Sequence, residues 1–178
     1  MIDGATYVLT INRPNQPSYD IPLGTEALRS LAMAVADDAA NADLIETLAA
    51  HPAAAIRAVV ASYDCLGSAA IEELEVDGAI EVRRALLQSR AFQRQVTTER
   101  LRAFASGDVD LATTIAGDLD LFTEIDVATI ADHLLGHSDP AVRIALARCT
   151  ATPHPLRRRL TRDLDADVAQ AASDSQSL

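Results

Sequence analysis

At 178 residues, 49% hydrophobic and 23% charged, the chain can bury roughly 70% of its unfolded surface in one or at most two domains, which excludes a disordered tail protein and a disulfide-stapled miniprotein. Fifteen basic residues against 26 acidic ones leave a formal charge of -11, which opposes a phosphate-neutralising face for nucleic acid and points to another protein, one with a basic surface, as the partner. All fifteen basic residues are Arg, and Asp outnumbers Glu by 18 to 8. Asp is a poor helix-interior residue and a good cap, so this balance predicts many short helices. The alanine-rich, lysine-free composition fits a GC-rich bacterial genome.

In chain order, residues 1–24 read as an extended arm. TYVLTI at 6–11 is β-prone, and RPNQPSYDIP then places three prolines where no helix can continue, so the arm is expected to lie on the rest of the chain or add one strand. The start has neither a basic n-region nor a long apolar h-region, and no stretch approaches 18 uninterrupted apolar residues, so the expectation is a cytoplasmic protein without membrane contact. TEALRSLAMAVADDA at 25–39 sets Leu28, Leu31, Ala32 and Val35 on one helical face and predicts an N-terminal capping helix.

From there the chain repeats one phrase. HPAAAIR at 51–57, DGAIEVR at 77–83 and HSDPAVR at 137–143 are versions of it, with weaker copies GDVDLAT at 107–113 and DLDADVA at 163–169. The anchors Ile56, Val82, Ala112, Val142 and Val168 are each preceded, eight residues earlier, by Leu48, Leu74, Phe104, Leu134 or Leu160. Apolar steps of three and four on both sides predict two short helices per unit with a polar turn between them. One such pair cannot bury its own stripe, so the fold expected over 25–173 is all-α: a right-handed α-solenoid of about five helical-hairpin repeats, followed by a frayed tail at 174–178.

These units, HSDPAVRIALARCTATPHPLRRRLTRDLDADV most of all, resemble bacterial HEAT-like repeats and the related leucine-rich repeat variant. The resemblance implies that the second-helix arginines Arg57, Arg83 and Arg143 each pair with an acid six positions earlier. Only Asp77 with Arg83 keeps both partners; His51 and His137 stand where the acid would be, and Thr113 and Ala169 where the Arg would be. Such repeats serve as scaffolds, inhibitors, enzyme subunits and DNA glycosylases, so the likeness is one of fold.

Few residues suggest chemistry. His133 and His137 stand four apart, but HLLGH lacks a metalloprotease Glu, and His137 shares its turn position with His51, so no metal or other cofactor is expected. The Asp-x-Asp pairs at 108/110, 118/120 and 163/165 lack the glycine and distal Glu of a calcium loop and read as caps. Cys65 and Cys149 sit in no ligand spacing and are read as reduced thiols. No catalytic constellation is evident, and a glycosylase is disfavoured by the charge, the absence of tryptophan and the 3% aromatic content.

The expected function is therefore non-enzymatic: a scaffold or adaptor that binds protein, or alternatively an acidic inhibitor or immunity-type protein masking a basic or nucleic-acid-binding site. Two long links between repeats are the candidate partner-binding sites. One carries Arg90, Phe92 and Arg94, the other Asp118, Asp120, Phe122 and Glu124, since insertions at one repeat position share a face. The bland alternative is that the loops pair with each other and tuck both Phe side chains into the core.

Overall fold

The computed structural model describes residues 7–12 and 17–175. Of the tail expected at 174–178, residues 176–178 lie outside them, as do residues 1–6 and 13–16 of the arm. The described residues are mostly helical and form two compact units, Met1–Ala91 and Phe92–Leu178.

The first unit opens with a hairpin in place of the single expected strand. β1 (Tyr7–Ile11) pairs antiparallel with β2 (Tyr19–Leu23), Leu9 opposite Ile21. Then come α1 (Thr25–Ala34), a 3-10 turn at Ala39–Asn41, α2 (Ala42–Ala49), α3 (Ala54–Ala61), α4 (Ser68–Glu75) and α5 (Ile80–Leu86). Helix α3 packs against both α1 and α5, and α2 touches α4, so second helices lie beside second helices and first beside first. Helix α1 thus occupies a second-helix place. Leu28 and Ala32 are buried as expected of a capping helix, but Leu31 is 45% exposed and lies off the packed stripe.

Helix α6 (Arg90–Gln95) carries the boundary between the units. The second unit holds α7 (Thr98–Gly107), α8 (Val109–Gly117), a 3-10 turn at Leu119–Leu121, α9 (Val127–Leu135), α10 (Pro140–Arg148), α11 (His154–Leu160) and α12 (Ala166–Asp174). Here α10 packs between α8 and α12, while α9 touches both α7 and α11. The five phrases lie on five contacting helix pairs: α2 with α3, α4 with α5, α7 with α8, α9 with α10 and α11 with α12. All ten sequence anchors are buried.

The third pair departs from the expected register. Asp108 closes α7 and caps α8, accepting from the Asp110 and Leu111 N–H groups, so one residue separates these helices where four separate α2 from α3. Counted from the cap, Leu111 rather than Ala112 corresponds to Ile56, and the phrase spacings become 26, 29, 31 and 26 residues. Capping explains much of the aspartate excess: Asp38, Asp126, Asp139 and Asp165 each accept from backbone N–H groups at helix starts.

In each unit an arginine forms a rung between neighbouring pairs. Arg57 donates from Nε and a terminal nitrogen to the two oxygens of Asp77 at 2.6 and 2.9 Å, and Arg143 does the same to Asp163 at 2.8 and 3.0 Å. The third nitrogen of each donates to turn carbonyls, of His51 and Pro52 for Arg57 and of His137 and Ser138 for Arg143. The pairing thus runs from an Arg to the acid twenty residues later. Asp77 is taken by Arg57, not by Arg83 six residues on, and Arg83 Nε is buried without a partner. In the frame counted from the caps, the position after Leu111 that corresponds to Arg57 holds Ala112, and the one that corresponds to Asp77 holds Ser106.

His51 and His137 do the acid's local work. Their Nδ1 atoms accept from the N–H of Ala53 and Asp139, as Asp77 and Asp163 accept from Ala79 and Asp165. The residue type changes while the turn is kept.

Candidate functional site

The long links fold as helix and turn and keep their aromatic side chains inside. Phe92 on α6 is 0% exposed and meets Phe104 at 5.4 Å between ring centroids; Phe122, after the second 3-10 turn, is 3% exposed. Neither ring is on the surface. Arg94, Asp120 and Glu124 are exposed, and Asp118 is half-buried, its carboxyl pushed up by burial and by the Asp120 charge. Arg90 meets Asp64: its N–H donates to Asp64 Oδ1 at 2.9 Å, and its exposed side chain reaches Asp64 Oδ2 at 3.9 Å.

Ser106 and His133 meet in the manner of a nucleophile and base, Oγ to Nε2 at 3.1 Å. The Ser106 hydroxyl already donates to the Arg102 carbonyl at 2.9 Å, so the imidazole can only donate to it, the reverse of what an activated nucleophile needs. Burial and the charges of Arg102 and His137 hold His133 below its ordinary value. Among the described residues no group of three or more His, Cys, Asp or Glu could hold a metal, and no helix is long and apolar enough to cross a membrane.

Asp37 gathers the loop of the first unit. It accepts from the N–H groups of Asp64 at 2.7 Å and Cys65 at 3.0 Å and from the Cys65 thiol. Burial works upward on the Asp37 carboxyl, but these donors outweigh it and leave it below the usual carboxylate value. The Cys65 thiol is pushed up to about 11, by burial first and then by the Asp37 carboxylate, which makes it a poor nucleophile.

A concave apolar surface lies at the start of the first unit. Tyr7 of β1, Leu28 and Leu31 of α1 and Leu44 and Leu48 of α2 line a cleft of about 310 Å³, with His51 also in its lining. Two of its lining side chains, Leu31 and Leu44, are 45% and 46% exposed, and on the hairpin that supplies Tyr7 the side chains of Val8, Leu9, Tyr19 and Ile21 are open to solvent. The Tyr7 ring rests on the His51 imidazole with centroids 4.2 Å apart. His51 is 6% exposed, and since its Nδ1 accepts, the neutral ring carries its hydrogen on Nε2, which is buried without a partner. The sequence reading missed this surface because its residues come from three separate segments, the arm, the capping helix and the first repeat. Leu44, off the stripe of Ile45 and Leu48, was the available signal, whereas Leu31 was expected on the buried face of the cap.

No protein-family model, curated protein or solved structure matches this chain.

Proposed function

We propose that this chain is a non-enzymatic protein-binding module whose docking surface is the apolar cleft of the first unit and the hairpin beside it. The observation that carries the reading is a preformed apolar concavity with Leu31 and Leu44 of its lining nearly half open to solvent, beside a hairpin whose Val8, Leu9 and Ile21 are exposed. Burial of such a patch is the main favourable term in protein association. A two-stranded hairpin is marginal alone in water and gains by being covered. The occupant that fits is an apolar helix or strand of a partner protein.

The finer architecture belongs to the same proposal: a right-handed, HEAT-like α-solenoid of five repeats working in the cytoplasm. The Arg57–Asp77 and Arg143–Asp163 rungs and the matched packing of second helices within each unit support it. The -11 charge favours a partner whose apolar centre is ringed by basic residues. Steep loss of binding with salt would make that partner the target of an inhibitor-type protein.

The test is capture from native extract by the full chain, in parallel with Leu31→Asp/Leu44→Asp. The reading expects one stoichiometric protein retained by the first and lost by the second, with both chains melting alike because the changed side chains are exposed. Equal capture by both, or no partner beside turnover of a substrate by the purified chain, would overturn it.

A further inference from the structure

The first helices of the second unit bring together a basic surface that the overall charge hides. Helices α7, α9 and α11 lie side by side through the α7–α9 and α9–α11 contacts. Across them runs a groove of about 500 Å³ floored by Ala128, Pro153, Pro155 and Leu156 and reached by Arg102. It shares Pro155 with a second depression of about 530 Å³, lined otherwise by Arg158, Arg159 and Arg162. All four arginines are exposed. Against them the lining holds a single acid, Asp132, which takes Arg159 at 2.7 Å in a solvent-exposed pair. In a chain with 26 acids and 15 bases, four arginines to one aspartate is a local inversion of charge.

We propose that this groove binds an extended acidic peptide segment of a partner protein, with carboxylates on Arg102, Arg158, Arg159 and Arg162 and small apolar side chains on the proline and leucine floor. Arg suits this ligand because its planar fork takes a carboxylate bidentately. Pro155 and Leu156 offer aliphatic contact where a nucleic-acid channel would offer a series of large aromatic rings, and His133 is the one ring in the lining, with no Phe, Tyr or Trp in either depression. At physiological salt the acidity of the rest of the chain is largely screened beyond about 8 Å, so it weakens but does not abolish binding of an acidic segment held against these arginines. This site lies wholly in the second unit and stands or falls apart from the apolar cleft.

Titration of the full chain with fluorescein-labelled poly-L-glutamate, an extended polyanion at neutral pH, tests it by anisotropy. Saturable binding is expected, weakened by at least about tenfold in Arg158→Glu/Arg162→Glu, a loss of about 1.4 kcal/mol. Arg29→Glu, in the first unit, should leave it unchanged. Asp132→Asn should strengthen it several-fold by freeing Arg159. The changed side chains are exposed, so thermal melts are expected to match the parent. The proposal is overturned by absent binding, by unchanged affinity in Arg158→Glu/Arg162→Glu, or by an oligo-dT strand binding as tightly through the same arginines. It is equally overturned if the chain self-associates through these arginines, which would make a second copy the occupant.

Discussion

Removing the acid of the first rung should expose how much the stacking of helix pairs depends on it. In Asp77→Ala the two bonds from Arg57, at 2.6 and 2.9 Å, disappear, and the Ala79 N–H loses its acceptor. The Arg57 side chain is 19% exposed and that of Asp77 7%, so the guanidinium is left largely out of water. Breaking a buried pair from one side costs about 3–5 kcal/mol. Arg57 keeps its bonds to the His51 and Pro52 carbonyls, which brings the expectation to the bottom of that range or just below it, about 2–3 kcal/mol. Urea unfolding at neutral pH measures it, and Arg57→Met/Asp77→Leu should recover part of the loss. The pH dependence has a definite sign. The Arg57 guanidinium holds the Asp77 carboxyl below its ordinary value, as Arg143 does for Asp163. Their contribution is present above the unfolded value near pH 4 and is lost as pH falls through the lower folded values. Asp77→Ala should therefore lose less stability than the parent on acidification. A loss below about 1 kcal/mol at neutral pH, with an acid profile like the parent's, would refute the rung as a stacking element.

Phe92→Ala should cost about 3–5 kcal/mol by opening a cavity in the core, measured by the same unfolding; a loss under about 1 kcal/mol would mean that the ring is not packed as described. Replacement of Arg83 by Met should be neutral or stabilising, because its Nε is buried without a partner. The rate of Cys65 alkylation should climb with pH toward about 11 rather than level off near the ordinary thiol value, and Asp37→Asn should raise it at pH 8.

The helices were legible because burial imposes three- and four-residue steps wherever a short helix meets a neighbour, and Ile56, Val82, Val142 and Val168 obey them. The third register slipped by one residue: Leu111 and Ala112 are both apolar and both buried, and nothing in the composition marks the shortened turn at Asp108. The rungs were misassigned for a different reason. An Arg and an acid six apart are close along the chain, but the contact is made across neighbouring helix pairs, where twenty residues separate Arg57 from Asp77. Arg102 and Arg158 are similarly remote in sequence and share one basic surface only because α9 bridges α7 and α11. The aromatic residues of the long links looked available for binding since the links appeared as insertions; each instead forms a turn of helix that buries its ring.

Hydrogen–deuterium exchange on the full chain, free and bound to its captured partner, tests the central claim most directly. The account predicts new protection in β1, α1 and α2, the elements that wall the apolar cleft, with the Arg57–Asp77 turn unchanged. Protection confined to the links around Arg94 and Glu124, or none in β1, α1 and α2, would contradict it.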